Sequence, residues 1–241
     1  MDEPVIKYQD GKIIEKAWYK NGILHRENDE PAFIQYPYAV ELIKKTWYKD
    51  GKCYRENDKP THIIYHTDGE IHSERWVNEN GSPHRENDKP AIIRYDKNTG
   101  RVVEKEWYNN GQIYRSEDKP NVIQYNIDGK ITYTRWDIIG IRSYKHNLYS
   151  IEYDSNGNIK WETRIVDNGL ISIGYGINGN VISRKWLSLF YQSPHQENGN
   201  PAIVEYNKDG KIINEEWFIN GLHQRDNDKP AIINMIRIVG S

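Results

Sequence analysis

A histidine, an arginine and a glutamate follow one another twice in this chain, and these residue types can move protons. The triplets are His25-Arg26-Glu27 and His84-Arg85-Glu86. A histidine beside a carboxylate could act as a general acid or base. Catalysis, however, needs unlike groups that converge on one point, whereas this chain repeats the same groups along its length. The pattern therefore favours a ladder of ion pairs between repeats and predicts a protein that is not an enzyme.

The predicted ladder joins arginines to glutamates in successive units. It places Arg26, Arg55, Arg85 and Arg115 near Glu27, Glu56, Glu86 and Glu117, and Arg225 stands at the corresponding place in the last unit. Exposed ion pairs contribute about 0 to 1 kcal/mol each, so such a ladder would mainly set the register of the repeats. The same five arginines are candidate contacts for a partner, because they would form a row on one repeat face.

Metal binding is a second chemistry that these residue types could support. The segment Asp154-Ser155-Asn156-Gly157-Asn158 resembles the start of a calcium loop, but Ile165 occupies the twelfth position, where such a loop needs glutamate. A hairpin turn is therefore predicted there. The histidines lack paired spacing and Cys53 is the only cysteine, so we expect neither a zinc site nor an intramolecular disulfide. No glycine-rich phosphate loop is present, and we expect no cofactor.

The elements that must position these residues are repeats. A proline followed by a short apolar run recurs as EPVIKY (3–8), EPAFIQY (30–36), KPTHIIY (59–65), KPAIIRY (89–95), KPNVIQY (119–125), NPAIVEY (200–206) and KPAIINM (229–235). A tryptophan recurs with the same period, at Trp18, Trp47, Trp76, Trp107, Trp136, Trp161, Trp186 and Trp217. The pattern predicts about eight copies of a roughly 30-residue unit.

Turn dipeptides divide each unit into strands. One Asp-Gly or Asn-Gly follows the apolar run, as in Asp68-Gly69, and a second follows the tryptophan, as in Asp50-Gly51. Both predict type I′ hairpin turns, which need a positive φ at both central residues. The block Asn-Asp-Lys-Pro is predicted to end one strand and start the next. We therefore expect an all-β fold, a single domain over residues 1–241 that forms an elongated array of antiparallel hairpins or meanders, as a twisted sheet or a β-solenoid.

The aromatic rows have two interpretations. The eight tryptophans are predicted to form a stacked core in place of a conventional hydrophobic interior, because hydrophobic residues make up only 37% of the chain while it carries 18 tyrosines. Alternatively, one aromatic row faces outward as a strip for protein segments or glycans.

The period breaks over residues 137–200. The tryptophans persist there, but the Arg-Glu-Asn-Asp-x-Pro block is missing. These degenerate repeats are either a drifted spacer or the docking site of a specific partner. Phe190 and Tyr191 add apolar surface within this stretch and are further candidate contacts.

Composition excludes several function classes. Lys+Arg 33 against Asp+Glu 35 gives a formal net charge of -2 with both signs interspersed, so no nucleic-acid partner is predicted. No window approaches the roughly 18 apolar residues of a membrane span, and no membrane insertion is expected. These features predict a cytoplasmic protein.

The recurring Trp-Tyr-x-Asn-Gly and Tyr-x-x-Asp-Gly turns resemble MORN-type repeats. The resemblance is greatest to MORN variants with His-Arg-Glu-Asn-Asp-x-Pro-Ala blocks, found in giant DNA viruses of amoebae and in bacterial antitoxin-like repeat proteins. MORN repeats proper carry Gly-x-Gly where this chain has Arg-Glu-Asn-Asp. The resemblance implies an interaction scaffold built of β-hairpins.

The expected function is therefore a non-enzymatic scaffold that binds a protein partner, of viral origin, in the host cytoplasm or the virion. The alternative is a virion or fibre component that self-associates through its end strands, such as residues 231–239.

Overall fold

The computed structural model describes residues 3–37, 41–116, 119–136, 148–166, 169–188, 193–196, 199–225 and 229–235. Every regular element in these ranges is a β-strand, which confirms the predicted all-β class. No helix in the described part of the chain has the length and apolar character that crossing a membrane requires. Two compact units are present, Met1–Ile131 and Thr132–Ser241. The single-domain prediction stays a prediction.

The strands are numbered in chain order. They are β1 (Val5–Gln9), β2 (Lys12–Ala17), β3 (Tyr19–Lys20), β4 (Ile23–Leu24), β5 (Phe33–Gln35), β6 (Leu42–Thr46), β7 (Tyr48–Lys49), β8 (Lys52–Cys53), β9 (His62–His66), β10 (Ile71–Arg75), β11 (Ile92–Tyr95), β12 (Val102–Glu106), β13 (Tyr108–Asn109), β14 (Gln112–Ile113), β15 (Val122–Tyr125), β16 (Ile131–Arg135), β17 (Leu148–Tyr153), β18 (Ile159–Val166), β19 (Gly169–Tyr175), β20 (Val181–Leu187), β21 (Ile203–Tyr206), β22 (Ile212–Glu216), β23 (Phe218–Ile219), β24 (Leu222–His223) and β25 (Ile232–Asn234).

In the first unit, the main strands pair in hairpin order. The antiparallel ladder runs β1, β2, β5, β6, β9, β10, β11, β12 and β15. Small hairpins outside this ladder connect the main strands at β3–β4, β7–β8 and β13–β14. Each repeat thus contributes two main strands and one short connection, which confirms the predicted meander.

In the second unit, the ladder runs from β16 through β17, β18, β19, β20, β21 and β22 to β25. Strands β18, β19 and β20 have 8, 7 and 7 residues, and so exceed the main strands of the first unit. They belong to the stretch predicted as degenerate repeats, of which residues 137–147, 167–168, 189–192 and 197–198 lie outside the described part.

The turn dipeptides do not all take one conformation. At Asp50-Gly51, φ is 50° and 78°, as a type I′ turn requires. At Asp68-Gly69 only the glycine has a positive φ, of 98°. The same holds at Asp128-Gly129, where the Asn126 side-chain oxygen accepts hydrogen bonds from the backbone of Asp128 and Lys130. The type I′ prediction is therefore wrong for these two turns. At Asp128-Gly129 the Asn126 side chain closes the loop as an Asx-turn, and after Asp68-Gly69 a bulge between Ile71 and Ser73 takes up an extra residue.

Small buried side chains lie where the backbone of one strand pairs with that of a tryptophan in the neighbouring strand. Ala32, Ala91 and Ala202 are fully buried, each directly after the proline of its unit. The carbonyl of Ala91 accepts a hydrogen bond from the Trp76 backbone N–H at 2.8 Å. The core is thus a line of contacts repeated from unit to unit, as a shallow aromatic core requires.

Gly174 offers a stability test in the second unit. An added Cβ at this buried position would lie 2.7 Å from Cη2 of Trp161, whose ring packs across the strand pair. We expect Gly174→Ala to lower the free energy of unfolding by about 1–3 kcal/mol, as overpacking does. Urea denaturation measures this loss. A Trp161→Phe background should relieve most of it, and an undiminished loss there would contradict the proposed clash.

Candidate functional site

The predicted row of arginines lies on the row of tryptophans. In each complete unit, the guanidinium carbon of the arginine lies over the indole ring of its own unit, at a distance typical of a cation–π contact. The distances to the ring centroid are 3.9 Å for Arg26 over Trp18, 3.9 Å for Arg55 over Trp47, 3.7 Å for Arg85 over Trp76, 3.8 Å for Arg115 over Trp107 and 3.6 Å for Arg225 over Trp217. Planar arginine suits this stacking better than lysine.

An aspartate of the preceding unit completes the arrangement, which we call the clamp. Nε and Nη2 of Arg85 donate to the two carboxylate oxygens of Asp58 at 2.9 and 3.0 Å. Nη1 of Arg85 donates to the carbonyl of Pro90 at 3.2 Å, and Nζ of Lys89 lies 2.6 Å from Asp58. One carboxylate is therefore held by an arginine and a lysine of the next unit.

Equivalent contacts recur in the neighbouring clamps. Arg55 and Lys59 hold Asp29, and Arg115 and Lys119 hold Asp88.

The backbone of the aspartate also takes part. Nε1 of Trp76 donates to the carbonyl of Asp58 at 2.9 Å. Asn57 and Asp58 both have a positive φ, of 60° and 52°, a left-handed conformation that asparagine and aspartate adopt more readily than most residues. The Asn-Asp turn thus directs both a carbonyl and a carboxylate toward the next unit.

The predicted pairing of arginine with glutamate is wrong. Glu27 contacts Lys20 and His25, Glu56 contacts Lys49, and Glu86 contacts His84. Glu117 lies outside the described residues. The glutamate directly follows the arginine, and successive side chains of an extended chain point to opposite sides. Sequence carried a usable signal, since the aspartate recurs in every complete block.

The histidines of the triplets join neighbouring units. Nδ1 of the buried His25 accepts a hydrogen bond from the backbone N–H of Asp50 at 3.1 Å, while its Nε2 lies 2.7 Å from Glu27. His84 contacts Asn110, and His195 contacts Asn220, in the same way. Each histidine is therefore a structural acceptor for the turn of the next unit.

The clamps perturb their carboxylates. Hydrogen bonds from Arg55 lower the pKa of Asp29 from 3.8 to about 2, and Arg85 does the same for Asp58. Arg115 likewise lowers the pKa of Asp88. Since the folded-state pKa is depressed, each clamp stabilises the fold fully above the ordinary pKa of aspartate. At Asp29 and Asp58 this contribution is lost as the pH falls through about 2.

We therefore expect the free energy of unfolding to decline between about pH 4 and pH 2. A variant with Asp29→Asn, Asp58→Asn and Asp88→Asn should be less stable at neutral pH and decline less across this window. Urea denaturation at a series of pH values measures both slopes. Equal slopes would show that the clamps do not stabilise the fold.

Two grooves with similar lining residues lie beside the clamps of the compact unit Met1–Ile131. One has a volume of about 180 Å³ and is lined by residues that include Asp29, Trp47, Tyr54 and Arg55. The other has about 120 Å³, and Asp88, Trp107, Tyr114 and Arg115 are among its lining residues. Tyr54 and Tyr114 are exposed by 46% and 45%, so each groove presents an aromatic side chain among charges of both signs.

The other candidate residues are placed as follows. Trp47, Trp76, Trp107 and Trp217 are buried, whereas Trp18, Trp136, Trp161 and Trp186 are half-buried. Phe190 and Tyr191 lie outside the described residues.

The calcium-like segment forms a turn. The Asp154 carboxylate accepts hydrogen bonds from the backbone of Asn156 and Asn158, both at 2.9 Å. Within the described ranges, no three metal-ligating side chains cluster together.

No protein-family model matches this chain, and no curated protein is significantly similar to it in sequence. The resemblance to MORN-type repeats therefore stays a prediction.

Proposed function

We propose that this chain is a non-enzymatic repeat scaffold that binds an extended segment of a protein partner along the grooves of the compact unit Met1–Ile131. The recurrence of the clamp is the observation that carries the proposal. Identical side chains lie in rows, and the arginines, lysines and histidines of these rows are used to join neighbouring units. The grooves that this arrangement leaves are alike, which suits repeated contacts with one polypeptide. A viral origin, and a location in host cytoplasm or virion, are part of the same proposal.

The spacing of the grooves indicates the form of the partner. Neighbouring strands lie about 4.8 Å apart, and the two grooves are separated by two units, or four strands, which gives about 19 Å. An extended polypeptide rises about 3.3 Å per residue, so side chains about six residues apart would contact both grooves. The exposed tyrosines offer such a segment rigid contact area.

A binding selection with this protein and a library of extended peptides tests the proposal. We expect selected peptides to lose about tenfold or more in affinity for a Tyr54→Ala/Tyr114→Ala variant, as truncation of buried aromatic contacts does. Tyr8→Ala is the matched control, because Tyr8 is exposed and lies on β1 outside the grooves. Equal binding by the double variant and the control, or no selected peptide, would overturn the proposal.

Self-association is the second candidate, and the edge strands favour it. Among the described residues, β1 pairs with β2 alone, and β25 pairs with β22 alone. Val5 and Ile232 on these strands are exposed apolar residues. Unpaired strand edges of this kind can pair with another copy. Light scattering over a range of concentrations should then show mass increasing with concentration, and less so for Val5→Lys. A strict monomer would exclude this function.

A further inference from the structure

Among the described residues, the last clamp lacks the aspartate that the other clamps have. Arg225 stacks on Trp217 at 3.6 Å, its Nη1 donates to the Pro230 carbonyl at 3.3 Å, and Trp217 Nε1 donates to a carbonyl at 3.0 Å, as in the complete clamps. The carbonyl belongs to Gly199, however, which stands where the other units have aspartate. Lys229 corresponds to the lysines that contact those aspartates. In the described part of the chain, these two cations therefore lack the aspartate that their counterparts hold in the other clamps.

The space for that anion is open. Gly199 has a φ of 72°, in the same left-handed region as Asp29 and Asp58. A Cβ added at Gly199 would meet no atom within 4 Å. Within the described ranges, no carboxylate contacts Arg225 or Lys229. The missing volume corresponds to the CH₂–COO⁻ group that an aspartate supplies in the other clamps.

In the first repeat, a carboxylate from the same repeat takes the place of the aspartate. Arg26 receives no aspartate from the described residues, but Glu30 stands where the other blocks have lysine. Its carboxylate lies 3.5 Å from Nη1 of Arg26. Lys229 takes that place beside Arg225, so position 229 supplies no compensating carboxylate, and this distinguishes the last clamp from the first among the described residues.

We propose that Arg225 and Lys229, on the Trp217 platform beside Gly199, form a binding site for a carboxylate carried by an aspartate or glutamate of a protein partner. Nε and Nη2 of Arg225 would bind both carboxylate oxygens, as Arg85 binds Asp58. The site rests on the clamp geometry alone, whereas a protein as the source of the carboxylate rests on the proposed scaffold function.

NMR of the Arg225 Nε–Hε group tests the site. The probe is the capped dipeptide N-acetyl-Asn-Asp-N-methylamide, which carries the two side chains that Asn57 and Asp58 bring to their clamp. We expect a saturable shift of the Arg225 signal in the unaltered protein and at least about tenfold weaker binding in Gly199→Asp, since the new side chain would occupy the site. Lys229→Gln keeps the Arg225 reporter and should weaken binding at least about tenfold if Gly199→Asp does not fold.

Three further probes serve as controls: the Asn-Asn analogue of the dipeptide, sulfate and acetate. The Asn-Asn analogue of the probe should not bind, and sulfate should bind more weakly than acetate. No saturable shift, an undiminished shift in Gly199→Asp, or equal binding of sulfate and acetate would overturn the site. If the dipeptide binds no better than acetate, a peptide-borne carboxylate is excluded.

These results separate from those of the groove experiment. If the dipeptide does not bind at Arg225 but peptides bind the grooves through the tyrosines, the carboxylate site is excluded and the scaffold function is kept. If the dipeptide binds at Arg225 but no peptide binds the grooves, the carboxylate site is kept and the scaffold function is excluded.

Discussion

Replacing Trp107 with alanine is expected to lower the free energy of unfolding by about 3–5 kcal/mol, the usual cost of removing a large buried aromatic side chain. Trp107 is 6% exposed, and its Nε1 donates to the Asp88 carbonyl at 3.0 Å. Its ring also supports the guanidinium of Arg115 at 3.8 Å. The substitution therefore removes buried apolar area, a hydrogen bond between units and the platform of one clamp together. Chemical denaturation followed by tyrosine and tryptophan fluorescence measures the loss.

Two matched variants separate these contributions. Trp107→Phe keeps an aromatic ring but removes the indole N–H, and should cost about 1–3 kcal/mol, since it leaves the Asp88 carbonyl without its donor in a part-buried hydrogen bond. Trp18→Ala removes a half-buried tryptophan and should cost less than Trp107→Ala. If Trp107→Ala leaves stability nearly unchanged but abolishes partner binding, the tryptophan row is a binding strip and not a core.

The second large effect is expected from the complete clamps. Arg85→Gln removes both hydrogen bonds to Asp58, the bond to the Pro90 carbonyl and the stacking on Trp76. Hydrogen bonds to charged groups contribute about 1.5–3 kcal/mol, and the partial exposure of Asp58 reduces this, so we expect a loss of about 2 kcal/mol. Thermal and urea unfolding measure the loss.

The chain contains a natural control for this substitution. Arg225→Gln changes the same kind of residue on the same kind of platform, but Gly199 supplies no carboxylate there. We expect a loss of about 1 kcal/mol or less. Arg85→Lys keeps the charge but cannot form the two-pronged contact, so it should resemble Arg85→Gln more than the unaltered protein. Equal losses at positions 85 and 225 would show that the aspartate contributes nothing to the clamp.

Secondary structure was predictable here because its signals are local. Asn-Gly and Asp-Gly restrict φ at the turns, and a proline marks the start of each apolar strand, so the strand order follows from the repeat. The prediction of one turn type for all dipeptides was wrong because some loops are closed by a side chain that precedes the dipeptide, as Asn126 does two positions before Asp128. That difference is also local, and the asparagine was visible in the sequence.

The pairing within the clamp could not be predicted in the same way. Arg85 has Glu86 beside it in the chain, but its partner Asp58 lies 27 residues away. Backbone direction decides the choice, because Asn57 and Asp58 turn left-handed and bring the carboxylate to the neighbouring unit. The missing aspartate at Gly199 could be recognised only once the contacts of Asp58 with Arg85 were known from the structure.

The order of the residues along the chain determined the all-β class and the hairpin connections of this protein, since both depend on neighbours a few positions apart. The recurrence of the same blocks along the chain determined the repeat period. The tertiary structure decided which charges meet, which tryptophans are buried and which arginine lacks a carboxylate. The physical reason is that packing the units side by side brings together groups that no local preference of the chain relates to each other.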